Sequence, residues 1–167
     1  MNQDTELVGR ARVEADAVAR DLEIRIVQRP NAGSLNEAAE LLGITPGDIV
    51  KTLVVKRADG TFLFALVPGG RKISWPKLRA LVGVNKLSLP DPAIALQATG
   101  YERGTITPLG STTAWPVYAD ELIVGPARRA GAEIAMGAGE AGYSLFVDAD
   151  ALVAAFDATV ADITDPE

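Results

Sequence analysis

Neither cysteine nor histidine occurs among the 167 residues. Without cysteine there is no disulfide frame, no thiolate metal site and no thiol nucleophile. Without histidine there is no Ser-His-Asp or Cys-His triad, no imidazole general base and almost no route to a zinc site. Any chemistry must draw on Lys, Asp, Glu, Ser, Thr, Tyr, the backbone or groups of the substrate, and neither a metal nor a cofactor is expected. The chain also lacks a run of eighteen apolar residues and a basic, apolar leader, which predicts a soluble, cytoplasmic protein with no membrane partner. Its length fits one domain over residues 1–167, with a core that needs no covalent staples.

The net charge is −6, but the charges are unevenly distributed. Between Lys51 and Lys86 lie Lys51, Lys56, Arg57, Arg71, Lys72, Lys77, Arg79 and Lys86 against one acid, Asp59. Gathered on one face, these would contact phosphates while the acidic remainder discouraged indiscriminate nucleic-acid binding. Dispersed, they would simply solvate exposed strand and helix surface.

Apolar positions at spacings of three and four predict a helix from Thr5 to Leu22, followed by a strand from Leu22 to Arg29. Ser34 and Glu37 form a capping box for a helix that Gly43 closes, and Thr45-Pro46 opens a second, shorter one. Residues 49–56 and 61–67 are β-rich runs on either side of Asp59-Gly60, hence a hairpin, with Lys51 interrupting the first run. Ser74 caps a helix that ends at Gly83, Lys86 to Leu89 is a short strand, and Asp91-Pro92 starts a helix ending at Gly100. Strands are predicted at Pro116–Tyr118, Leu122–Val124, Glu133–Met136 and Tyr143–Val147. Asp148 then caps a last helix to about Phe156, before a short apolar tail. The fold class is α+β, with a mixed, barrel-like sheet flanked by helices.

Two glycine-rich stretches stand out. Gly100 to Ser111 holds three glycines and Pro108, so its backbone is shaped to approach another molecule closely. Its free N–H groups and the hydroxyls of Thr105, Thr107 and Ser111 are candidate ligand contacts, unless the loop is an ordinary tight connection. Gly137-x-Gly139-x-x-Gly142 has the spacing of a dinucleotide fingerprint, but a strand follows it where that motif needs a helix N-terminus. A β-hairpin, or a loop lining a cleft, fits better. Tyr101, Trp75 and Trp115 are either core aromatics or platforms for a nucleobase.

Leu42-Gly43-Ile44-Thr45-Pro46-Gly47-Asp48-Ile49-Val50-Lys51-Thr52-Leu53, then Thr99-Gly100-Tyr101-x-x-Gly104-x-x-x-Pro108-Leu109-Gly110, then the Gly137 to Gly142 loop, together resemble the YbaK/EbsC family. This family is related to the editing domain of bacterial prolyl-tRNA synthetase. The resemblance runs from about Leu22 to Thr164. It implies a mixed β-barrel flanked by helices and a trans-acting deacylase that hydrolyses mischarged tRNA. The partner is then an aminoacyl-tRNA, chiefly tRNA(Pro) or a related small-amino-acid mischarge, with a synthetase as a second candidate partner.

By the same resemblance Lys51 holds the terminal adenosine or its phosphate, and the Gly104 to Pro108 loop surrounds the aminoacyl ester. Lys51, Gly104, Thr105 and Pro108 are thus the catalytic candidates. Gly100, Tyr101, Thr107, Gly110, Ser111, Gly137, Gly139 and Gly142 are the substrate-binding candidates. The chain departs from the family where relatives carry a Ser-Gly-Gly-basic-Arg-Gly stretch: Gly137 to Gly142 has neither the serine nor the two charges. Thr105 replaces a second glycine. The altered loop leaves open a non-catalytic aminoacyl- or nucleotide-binding module, or a synthetase-docking module, of the same fold.

Overall fold

The computed structural model describes residues 7–125, 128 and 131–167. Helix α1 (Gly9–Ala19) buries Val13 and Ala17, one turn apart on a single face. It is shorter than the predicted Thr5–Leu22: Thr5 lies outside the described residues, and the chain leaves the helix at Arg20 to enter strand β1 (Ile24–Gln28). Helix α2 (Leu35–Leu42) begins at the predicted cap, where Ser34 Oγ accepts from the Glu37 N–H at 3.1 Å. The return arm of the box differs, because Glu37 Oε2 takes the N–H of Gly33 at 3.2 Å and so fastens the incoming loop.

Thr45-Pro46 opens only a 3₁₀ turn, Pro46–Asp48. Asp48 accepts from the N–H and hydroxyl of Thr45 at 3.2 and 2.8 Å and pairs with Arg128. Burial pushes the Asp48 carboxyl up, but these partners outweigh it and hold it below the usual carboxylate range.

Strands β2 (Val50–Arg57) and β3 (Phe62–Pro68) form the predicted antiparallel hairpin. Strand β4 (Arg71–Ile73), helix α3 (Trp75–Val82), strand β5 (Leu87–Ser88) and helix α4 (Pro92–Thr99) follow, with Ser74 capping α3 and Gly100 ending α4 in the left-handed region. After the long glycine loop come β6 (Val117–Asp120), β7 (Glu133–Gly137), β8 (Tyr143–Asp148), α5 (Ala149–Ala155), β9 (Thr159–Ala161) and β10 (Thr164–Pro166).

Leu122 to Val124 is not the expected strand, because the 3₁₀ turn Glu121–Ile123 occupies this stretch. Asp120 is the reason: it accepts from the Leu122 N–H at 3.2 Å, and from the Ile163 N–H and Thr164 hydroxyl at 3.0 Å each, which turns the chain at once. Strands β4, β9 and β10 have no counterpart in the sequence reading. They are three residues each, and each is paired to a distant segment.

The strands form a three-stranded sheet β1-β8-β7, a five-stranded mixed sheet β5-β2-β3-β6-β9 and the pair β10-β4. β2 and β3 are covered on both faces, which is why residues 63–67 form an unbroken buried run. One face packs into the larger core with Val50, Val54, Phe64 and Leu66; the other joins Val55, Leu63 and Ala65 to Leu78 of α3. Each such large side chain contributes roughly 1.5–3 kcal/mol. Among the described residues the backbones of the two larger sheets are joined by one isolated parallel bridge, Ile49 with Ala135, so the barrel-like circuit stays open beside β2. Among the described residues no helix is long and apolar enough to cross a membrane.

Candidate active site

The Gly100–Ser111 loop owes its shape to inward-turned polar groups. Thr99 Oγ1, at the end of α4, donates to Ala95 O at 2.8 Å and accepts from the Tyr101 N–H at 3.1 Å. The Tyr101 ring is buried, and its hydroxyl donates to Leu109 O at 2.6 Å, closing the loop on itself. Burial raises the Tyr101 pKa well above the phenolic range, since an ionised ring would lose its water shell. Thr105 Oγ1 donates to Glu102 O at 2.8 Å, and the buried Thr107 hydroxyl accepts from the Leu109 N–H at 3.4 Å. The Gly110 N–H reaches Asp16 of α1 at 2.8 Å. Thr105 and Thr107 thus serve the loop's own backbone, and the Ser111 hydroxyl is buried as well.

Gly137 to Gly142 forms the predicted hairpin connection, between β7 and β8. It braces the first loop: the Gly139 N–H donates to Thr105 O at 2.9 Å. A Cβ at Gly137 would lie 2.9 Å from the carbonyl oxygens of both Thr105 and Ile106, so only glycine permits this approach. At its far end Gly142 O accepts from the Arg29 N–H at 2.8 Å, and Arg29 Nε donates to Ser144 Oγ at 3.2 Å. The hairpin therefore fixes both the loop and an arginine.

These elements enclose a cavity of about 620 Å³ beside the open edge of β2. Its wall is largely apolar, with Val50, Val54, Ile106, Ala135 and Met136 among its residues, and Thr52 and Ser144 add hydroxyls. Among the described residues three charged ones line it, Arg29, Lys51 and Arg103, with no carboxylate beside them. None of the three forms an ion pair with a described residue. In a chain of net charge −6 this is a concentrated positive site, suited to an anionic ligand. A wider concavity of about 1370 Å³ shares only Leu42 with it, and there Arg25 and Arg128 are paired with Glu133 and Asp48.

Of the sequence-named residues, Lys51, Gly104 and Gly137 line the cavity. Gly104 is exposed, and no described residue accepts a hydrogen bond from its N–H or from that of Ile106. Thr105, Pro108, Thr107, Tyr101 and Gly110 are buried behind this surface, and Gly100, Ser111, Gly139 and Gly142 also lie off the lining. They shape the loops that carry it. Trp115 packs edge-on against Phe62 with ring centroids 5.2 Å apart, and Trp75 packs on the smaller core.

The basic stretch is divided by the fold. Lys77 is held by Asp162 and Asp165 at 3.0 and 3.1 Å, which raises its pKa, and Arg71 donates to Thr164. Only Lys51 of that set lines the cavity; the other cations are Arg29 and Arg103. Arg29 sits one residue past β1 with no local motif around it, so only its pairing to Gly142 reveals it.

Comparison with known proteins identifies the family. Residues 29–155 match the family described as the aminoacyl-tRNA editing domain. The proline–tRNA ligase of Bacillus licheniformis is 28% identical over 130 residues, covering 78% of this chain and 22% of the ligase. That of Thermosipho melanesiensis is 35% identical over 88 residues, covering 53% of the chain and 15% of the ligase. The chain thus spans less than a quarter of these relatives. A crystal structure of a proposed trans-editing enzyme for prolyl-tRNA synthetase superposes with a TM-score of 0.82 at 28% identity, covering 93% of this chain and 96% of that one.

Proposed function

Because this chain belongs to the aminoacyl-tRNA editing domain family, we propose that it is a trans-acting deacylase that hydrolyses the ester of mischarged tRNA, with tRNA(Pro) carrying a small amino acid as the leading substrate. The observation that carries the reading is the cavity itself: Arg29, Lys51 and Arg103 around an apolar wall, with Gly104 on the same lining. The cations suit the phosphates of a tRNA 3′ end, and the apolar wall suits a small side chain.

An aminoacyl ester is already activated, so no covalent nucleophile is required. Water adds to the ester carbonyl carbon, the bond to the ribose oxygen breaks, and that oxygen takes the proton, releasing amino acid and tRNA. The N–H groups of Gly104 and Ile106, which donate to no described residue, are the donors for the developing oxyanion. Lys51 anchors the terminal nucleotide as a fixed positive charge. The vicinal ribose hydroxyl relays the proton, as suits a chain without histidine; a deoxy substrate hydrolysed at full rate would remove that step from the mechanism.

The test is release of amino acid from tRNA(Pro) carrying Ala or Cys and from tRNAs carrying Ser or Thr, with wild type beside Lys51→Ala. Release that disappears in the variant supports the assignment and names the substrate. No release from any of them, with tRNA binding intact, supports the alternative of a binding module. That alternative draws on the Gly137–Gly142 hairpin, which offers no hydroxyl or cation to the cavity. A synthetase partner would be revealed by co-purification.

A further inference from the structure

Helix α1 lies ahead of residues 29–155, which match the family, yet both glycine-rich loops pack on it. A Cβ at Gly110 would stand 2.9 Å from Arg12 O, and one at Gly139 3.1 Å from Gly9 O, so each loop meets the helix backbone to backbone. Val8, at the N-cap, offers α1 no side-chain acceptor. Glu140 of the hairpin supplies one, accepting from the Arg10 N–H at 3.3 Å. The helix is thus built into the place where the two loops meet.

One peptide group links α1 to the first loop. The C=O of Leu109 and the N–H of Gly110 belong to the same planar unit. Tyr101 Oη donates to the first at 2.6 Å, and Asp16 Oδ2 accepts from the second at 2.8 Å, so the unit is gripped from both sides. Elsewhere in Gly100–Ser111, the described backbone N–H groups that meet a side chain meet a neutral threonine hydroxyl, whereas Gly110 meets a carboxylate. Bonds to an ionised acceptor are roughly twice as strong as neutral ones. Asp16 is itself held in place. The same Oδ2 takes Arg20 Nε at 3.0 Å, and Arg20 donates to Ala155 O at 3.2 Å and lies over the Phe156 ring. Because Arg20 balances it, the carboxylate brings no net charge to the neighbourhood of a cavity lined by three cations.

We propose that Asp16 is a positioning residue of the reaction, an inference that rests on the proposed deacylase reading. It lies off the cavity lining and acts through the Leu109–Gly110 peptide. From there Pro108, with its fixed φ, and the Thr107 hydroxyl on the Leu109 N–H carry the constraint back to Ile106 and Gly104, whose N–H groups are the oxyanion donors. The Gly139 N–H on Thr105 O holds the same segment from the hairpin side. Donors to a developing charge act only where they are preset, and a displacement of about 1 Å costs on the order of a hundredfold in rate. A carboxylate on α1 therefore governs the rate of hydrolysis without contributing to substrate affinity.

The test is single-turnover hydrolysis by the full chain of the mischarged tRNA that wild type cleaves, read beside the amide resonances of Gly104 and Ile106 in ¹H–¹⁵N spectra. Asp16→Ala should lower the saturating rate about tenfold or more, leave the half-saturating concentration within about twofold, and move both resonances. Asp16→Asn, which keeps an acceptor for the Gly110 N–H, should recover most of the rate. Asp148→Ala removes the cap of α5, a loss of stability alone, and should leave rate and resonances in place. Where Asp16→Ala does not fold, Arg20→Gln, which loosens Asp16 without deleting it, carries the same test and should shift both readouts in the same direction. A rate that falls only with the folded fraction, or Gly104 and Ile106 resonances that stay in place, overturns the inference. If wild type cleaves no mischarged tRNA, the deacylase reading fails; if wild type and Asp16→Ala cleave equally well, this inference alone fails.

Discussion

The Gly139 N–H donates to the Thr105 carbonyl at 2.9 Å, and this one bond joins the two glycine-rich loops of the chain. Two residues earlier, Gly137 passes so close to the same carbonyl, and to that of Ile106, that a Cβ would be 2.9 Å from each. The atoms in the way are backbone, which cannot swing aside as a side chain can. Gly137→Ala should therefore displace the Gly104–Ile106 segment and destabilise the fold by about 1–3 kcal/mol. Thermal unfolding measures the loss, and hydrolysis by the remaining folded protein should fall more steeply than stability does.

Tyr101 closes the same loop from inside. Tyr101→Phe keeps the buried ring but leaves Leu109 O without its donor, at a cost of about 1–3 kcal/mol. The expected result is a thermal midpoint lowered by several degrees. A midpoint equal to wild type would show that the 2.6 Å bond does not hold the loop.

Arg29, Lys51 and Arg103 reach the cavity from three separate segments. If each meets a phosphate, replacing Arg29 or Arg103 by Gln should weaken tRNA binding. It should also flatten the plot of log K against log salt by about 0.7 per lost single-strand contact. Gln at Lys72, which is exposed and off the cavity, should leave that slope unchanged. A slope unmoved in all three variants would place the tRNA elsewhere.

Asp48 ties Thr45 and Arg128 together just before β2. Its carboxyl is depressed, so the charged form stabilises the fold above the ordinary carboxylate pKa, and this contribution fades as pH falls through the lower folded value. Asp48→Ala should cost about 1–2 kcal/mol near neutral pH. Denaturant titrations from pH 7 to pH 3 should show the gap to wild type narrowing only at the acid end.

Local chemistry was legible in the chain wherever one segment decides its own conformation. Ser34, Ser74 and Asp148 cap helices where the pattern placed them, and Gly43, Gly83 and Gly100 end helices in the left-handed region. Asp59-Gly60 turns the hairpin, and Lys51 sits on its first strand. These outcomes depend on neighbours within a few residues, and the motif from Leu42 to Leu53 with the loop at Gly100 to Gly110 also carried the family resemblance.

Tertiary structure decided the rest. The Thr105 and Thr107 hydroxyls, eligible ligand contacts on the sequence, turn inward because the loop's own carbonyl and N–H groups are nearer. Arg29 enters the site because β1 pairs with β8 and Gly142 receives its N–H. Lys77 and Arg71 leave the basic surface because the C-terminal strand folds back onto them. The sequence alone determined which residues could cap, turn and pack. Which of Arg29, Arg71 and Lys77 remained free to meet a ligand depended on partners 85 to 115 residues away, and only the closed-up chain brings those together.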